Sequence, residues 1–127
     1  MKVFLGGTCG KSIWRDELIQ MLCIDYFNPQ LPEGTWNDAA YEEELKQRKE
    51  CDYCLYVITS EEDNIYSVAE VVDDSNKRPE KTIFCFLGFE IGSHKFKAMT
   101  KVAKMVQNNG GNSFISLPSV AIHLNSL

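Results

Sequence analysis

Long apolar runs are missing from this sequence, and none approaches the roughly twenty residues that a membrane-spanning helix needs. Residues 1–4 carry nothing like a secretory leader, so a cytoplasmic setting is expected. Histidine is scarce. Neither His94 nor His123 has partners at ligand spacing, so no metal and no cofactor is assigned. Positive charge is short as well: 13 Lys and Arg against 18 Asp and Glu give a formal net charge of −5. No basic stripe offsets that balance, which argues against a nucleic acid polymer as the main partner. The basic clusters at 46–49, 77–81 and 95–104 read as solvated helix surface. Repeats, linkers and low-complexity segments are also absent, so 1–127 is expected to form a single domain.

What is present suits a soluble globular domain, since 127 residues with 44% apolar content can bury one core. Five cysteines make an odd count, and most lie inside apolar segments, as buried reduced thiols do. Cys51 and Cys54 have CxxC spacing, but no second pair exists and a metal or redox role is disfavoured.

Strand and helix patterns alternate five times. Strands are expected over 2–5, 24–27, 54–58, 82–87 and 113–116. Helices are expected over 12–23, 38–50, 65–76 and 95–108, with a terminal helical turn opened by Pro118. Such alternation predicts right-handed crossovers and a three-layer α/β/α domain of flavodoxin-like kind, with a five-stranded, mainly parallel sheet in the order 2-1-3-4-5. Its crevice would be built by the loops after strands one, two and three, with the loop after strand four left open.

Two stretches could carry chemistry. Gly6-Gly7-Thr8-Cys9-Gly10-Lys11-Ser12 resembles a phosphate-binding loop but is one residue short between its outer glycines, and no strand ending in Asp supports it. Nucleoside triphosphatase is therefore rejected, although a flexible Gly6-Gly7-Thr8 turn could still bring backbone amides to a ligand. The second stretch, 55–70, is an apolar strand, an acidic loop and the start of a helix. It places Tyr66, Ser67 and Glu70 in the first turns of a helix at a strand's carboxyl end, where ligands of open sheets sit. Tyr66 and Ser67 lie four and three residues before Glu70, so each can meet it on the helix surface. A helix-surface glutamate is the ordinary alternative for Glu70.

Other polar residues have two readings each. Arg15 could meet a phosphate or pair at the surface with Asp16 or Glu17, and the pairing is slightly favoured. Trp14 and Trp36 could stack on a base or join a core or interface. Asn28 could bond a ligand or hold its own loop, and Ser67 could hold a sugar hydroxyl or a phosphate or be a plain first-turn serine. Asp73 and Asp74 could bind metal, but nothing else in the pattern supports it.

An ordered series of motifs adds to this. Lys2-Val3-Phe4-Leu5-Gly6-Gly7-Thr8, Trp14-Arg15, Asp25-Tyr26-Phe27-Asn28-Pro29, Cys51-Asp52-Tyr53, Ser67-Val68-Ala69-Glu70 and the run at 73–82 resemble the nucleoside 2-deoxyribosyltransferase-like family. The resemblance implies a flavodoxin-like, Rossmann-like fold. It also implies exchange of the base of a deoxynucleoside, or hydrolysis of the N-glycosidic bond of a deoxynucleotide. By the same resemblance Glu70 matches the nucleophile, and Glu44 or Asp63 the carboxyl group that handles the base. Phe4 stands where family members have a tyrosine that steadies the nucleophile, leaving Tyr66 as the orienting phenol. Gly6, Gly7, Thr8, Arg15, Asn28, Trp36 and Ser67 are the candidate substrate contacts. Family members assemble as homodimers or higher homo-oligomers, for which Trp36, Tyr41 and the apolar end over 120–127 could supply contacts. A small-molecule nucleoside or nucleotide is the expected ligand. A binding module that holds such a ligand without turnover is the alternative to an enzyme.

Overall fold

The strands of the computed structural model, which describes residues 1–31, 35–62 and 65–127, are β1 (Lys2–Gly7), β2 (Asp25–Phe27), β3 (Tyr53–Thr59), β4 (Thr82–Leu87) and β5 (Asn112–Phe114). They form one sheet in the order β2-β1-β3-β4-β5, parallel at every pairing. The helices are α1 (Trp14–Ile19), α2 (Asp38–Glu50), α3 (Tyr66–Lys77), α4 (His94–Asn108) and α5 (Leu117–Asn125). The expected topology and the central placing of β1 beside β3 are both observed.

Side chains alternate across a strand, and here both faces are covered. Val3, Leu5, Leu55, Val57 and Ile83 pack with Trp14 and Leu18 of α1 and Val120 and Leu124 of α5. Phe4, Cys54, Tyr56, Ile58 and Phe84 point the other way, to Val71 of α3 and Val106 of α4. Both clusters explain why the strands read as continuous apolar runs. Helix α2 has no comparable stripe: its one buried residue is Arg48. The expectation that 46–49 is solvated surface therefore fails at Arg48, whose buried guanidinium has partners on β3 and α3.

Several boundaries differ from expectation for identifiable reasons. Helix α1 ends at Ile19 rather than at 23, because the Asn125 side chain of α5 accepts from the Cys23 amide and donates to the Met21 carbonyl. Strand β5 stops at Phe114 because Ser116 caps α5, its hydroxyl accepting from the Ser119 amide. The terminal turn is a full helix whose Val120, Ala121 and Leu124 are inside the core, so of the apolar residues of that end only Ile122 and Leu127 face outward. A short 3₁₀ turn, Pro79–Lys81, precedes β4 and was not anticipated.

The glycines after Leu5 are strand rather than a flexible turn. Gly6 pairs with Tyr56 and Gly7 with Val57. A side chain at Gly6 would lie 2.7 Å from the Tyr56 ring, and one at Gly7 would lie 2.0 Å from the Val57 carbonyl oxygen. Gly7 also has φ +120°, which side chains rarely adopt. Gly7→Ala should therefore cost about 2–4 kcal/mol of stability in urea unfolding. Gly10→Ala, at φ +77° in open space, should cost only about 1 kcal/mol.

Candidate active site

The chain reverses its direction of strand addition between β1 and β3, and ligands of open parallel sheets sit at such a point. A crevice of about 1540 Å³ opens there. Its walls are the loops after β1, β2 and β3, one face of α2 and the first turns of α3. The loop after β4 borders a separate hollow of about 200 Å³ instead, lined by Phe89 and Met99 among others.

Glu70 enters the crevice from the second turn of α3 and is only 6% exposed. Its carboxyl group shares a hydrogen bond with that of Glu44, from the facing side of α2. Two carboxylates this close cannot both ionise freely. Burial first, and then Glu44, push the Glu70 pKa up to about 8. Burial raises Glu44 as well, although its hydrogen bond to Glu70 and the nearby Arg48 oppose that. The pair therefore holds a proton near neutral pH. Among the described residues, Glu70 Oε2 has no hydrogen-bond partner; Arg48 Nη1 stands 3.5 Å from it.

The other expected contacts divide. Gly6, Gly7, Arg15, Trp36, Tyr66 and Ser67 line the crevice. Thr8 and Asn28 lie outside that lining. The Thr8 hydroxyl accepts from the Thr59 amide and donates to Glu62, tying the ends of β1 and β3 together. The Asn28 side chain accepts from the Gln30 amide, holding its own loop. Asp63 lies outside the described residues, whereas Glu61 and Glu62 just before it are on the crevice wall.

Arg15 is not the surface pair with Asp16 or Glu17 that its neighbourhood suggested. It is 2% exposed and donates to the carbonyls of Leu5, Gly7 and Thr8 at 2.7–3.3 Å. The loop thus turns carbonyls inward to a guanidinium, unlike a phosphate cradle of amides. Trp14 is core, its indole N–H donating to the Thr8 carbonyl. Trp36 is half exposed and meets Tyr41 edge-on, with ring centroids 6.2 Å apart. Tyr41 in turn hydrogen bonds Tyr66, whose pKa is pushed up to about 12, first by that bond. Tyr66 is thus bonded to Tyr41 within the field of Glu70. Trp36, Tyr41 and Tyr66 make an aromatic wall beside the acids.

The roles of three polar residues behind Glu70 escaped the sequence reading. Tyr56 Oη donates to Asp74, and Arg48 reaches both. Asp74 is thereby held by Arg48, Tyr56 and Arg78 rather than offered to a metal. One signal was available: Glu44 and Arg48 share one face of α2, and Glu70 and Asp74 one face of α3. Cys51, Cys54 and Cys85 are buried free thiols away from the crevice lining, and Cys9 is exposed on it.

The family model described as nucleoside 2-deoxyribosyltransferase like matches residues 1–89, which span β1 to β4 and every crevice residue named above. The chain belongs to the nucleoside 2-deoxyribosyltransferase-like family. No curated protein matches it. Membership points to transfer or hydrolysis at an N-glycosidic bond and to a nucleoside ligand. Among the described residues, no helix is long and apolar enough to cross a membrane.

The acid pair gives the family fold a measurable pH dependence. A carboxyl group whose pKa rises from an unfolded 4.5 to about 8 binds its proton more tightly when folded. Its stabilising contribution is complete below pH 4.5 and is lost as pH rises through 8. Glu70→Gln removes this titration. Between pH 5 and 8.5, wild type should therefore lose about 2–4 kcal/mol relative to Glu70→Gln, measured by urea unfolding at each pH.

Proposed function

We propose that the protein breaks the N-glycosidic bond of a deoxynucleoside, with Glu70 as nucleophile and Glu44 as the acid that serves the departing base. The hydrogen-bonded Glu44–Glu70 pair, half-buried Glu44 against buried Glu70 at the carboxyl ends of the strands, carries this reading. Cleavage passes through an oxocarbenium-like state, which a carboxylate stabilises and can capture. The reaction starts from the state in which the proton shared by the pair is on Glu44 and Glu70 is the carboxylate beside Arg48. Glu70 Oε attacks the anomeric carbon, the bond from that carbon to the base nitrogen breaks, and the base leaves with the proton from Glu44. The deoxyribosyl ester on Glu70 is then taken by water, giving hydrolysis, or by a second base, giving transfer. Asp63 is the alternative acid.

The aromatic wall offers flat faces for the base. The charge balance of the crevice favours an unphosphorylated sugar: Glu44, Glu61, Glu62 and Glu70 line it against Lys11 and Arg15, and Arg15 has its donors on backbone carbonyls. A second copy of the chain would close the crevice rim, where Trp36 and Tyr41 stand outward.

One observation favours a second reading, a module that holds a nucleoside without turnover. Phe4 is fully buried, its ring stacked on Phe27 at 5.9 Å and tilted against Tyr56 at 6.1 Å, and it offers no hydroxyl.

A panel of deoxynucleosides and their 5′-monophosphates decides between the two. Wild type should release free base from at least one deoxynucleoside, faster than from its monophosphate. Glu70→Gln should bind that substrate and lose turnover by several orders of magnitude, beyond the ~10²–10⁴-fold of one acid/base group. A 2-fluoro-substituted nucleoside should add mass at Glu70 alone. Binding without release across the panel would establish the module, and an adduct at Glu44 or Asp63 would overturn the roles.

A further inference from the structure

Arg48 occupies an unusual place for a cation in a basic run. It is 6% exposed, and its planar fork reaches three side chains on two neighbouring elements, β3 and α3. Nε donates to Tyr56 Oη on β3 at 2.9 Å, and Nη2 donates to Asp74 Oδ1 on α3 at 3.1 Å. Nη1 stands 3.5 Å from Oε2 of Glu70, the buried oxygen without a hydrogen-bond partner. Tyr56 Oη closes the frame by donating to the other oxygen of Asp74, which is fully buried. The guanidinium is thus fixed from behind and presents one edge to Glu70. A lysine ammonium has no fork with which to reach all three partners at once.

We infer that Arg48 is the positioning residue of Glu70, favouring its carboxylate form against the acids around it and aiming it into the crevice, with Tyr56 and Asp74 as its anchor. This rests on the proposed reading of Glu70 as nucleophile. Every group that faces Glu70 bears on its charge. Glu44 from α2 and Asp74 from α3 favour the protonated form. Arg48 is the facing group that favours the carboxylate. The Tyr66 phenol faces Glu70 and is hydrogen bonded with Tyr41, and Asp73 lies 3.7 Å from Arg48 on its outer side, half exposed and also paired with Lys77. Removing the guanidinium takes away that opposition, and Glu44 and Asp74 then push the proton onto Glu70.

The test follows the titration of Glu70 itself, by carbon NMR of the glutamate carboxyls, with the Glu70 signal assigned by its loss in Glu70→Gln. Arg48→Met should move the Glu70 midpoint up by about one pH unit or more. Arg48→Lys should move it less, because the charge remains but the fork does not. Tyr56→Phe keeps both the charge and the ring and removes one anchor, so it should give a small shift in the same direction and serves if Arg48→Met does not fold. In base release, the acid limb of the kcat profile should move up with the midpoint, kcat at pH 7 should fall about tenfold for each pH unit the midpoint moves, and KM should change little. A Glu70 midpoint unmoved in folded Arg48→Met, or in Arg48→Lys and Tyr56→Phe together, overturns the inference. So does a loss of kcat that is equal at every pH. The titration needs no turnover. Wild type that releases no base therefore sinks the reading of Glu70 as nucleophile, while the Glu70 midpoint still decides what Arg48 does.

Discussion

Asp74 has no exposure to water, and its charge has to be answered inside the protein. The answer comes from Arg48, Tyr56 and Arg78, one group each from α2 and β3 and one from the turn that follows α3. An isolated carboxylate at this depth would be severely destabilising, and removing one partner of such a set typically costs about 3–5 kcal/mol. The arrangement matters more because α2 has so little else. Its side chains are charged or polar almost all round, and Arg48 is its one buried residue. A helix of that kind is not held by an apolar stripe. Its register against the sheet is set by where Arg48 finds Tyr56 and Asp74, and that register places Glu44 against Glu70.

The sheet was legible in the sequence because its signal is local. Strands covered on both faces need unbroken apolar runs, and β3 and β4 have them at Tyr53–Thr59 and Thr82–Leu87. The placing of Glu70 at the crevice was legible for a related reason: it lies in the second turn of the helix that follows the central strand, where the fold puts its crevice. The two arginines were not. Arg15 sits beside two acids and Arg48 inside a basic run, so local composition argued for surface in both. Their actual partners are the carbonyls of Leu5, Gly7 and Thr8, and Tyr56 and Asp74. Asp74 lies 26 residues from Arg48, beyond any local pattern. The end of α1 was hidden in the same way, because Asn125, over a hundred residues away, takes its last polar groups. Composition tells which groups need partners; only the fold tells which partners they have.

Seen along their facing sides, α2 and α3 form two rungs. Glu44 and Arg48 are four apart on one helix, and Glu70 and Asp74 four apart on the other, so each pair shares a face. The outer rung, Glu44 to Glu70, is acid against acid and opens on the crevice. The inner rung, Arg48 to Asp74, is base against acid and is sealed by Tyr56. Arg48 Nη1 also reaches diagonally to Glu70, so the inner rung supplies the positive charge that the outer one lacks. A slip of one residue between the helices would break both rungs at once.

This pairing has a consequence for charge during the proposed reaction. The linked set contains three carboxyl groups, on Glu44, Glu70 and Asp74, and two guanidiniums, on Arg48 and Arg78, with Glu44 and Arg78 at its half-buried ends. With every carboxyl ionised the set would carry one net negative charge, and the single proton held between Glu44 and Glu70 makes it neutral. In the proposed cleavage that proton leaves with the base while Glu70 becomes an uncharged ester. Glu44 and Asp74 then balance Arg48 and Arg78, and the set is neutral again. Burying net charge in a protein interior is expensive, whereas a neutral, hydrogen-bonded set is not. An acid pair in which only one member is ionised therefore suits this chemistry better than two free carboxylates. The pair with one proton on Glu44 is the state from which one proton can be delivered while one carboxylate attacks in the same step.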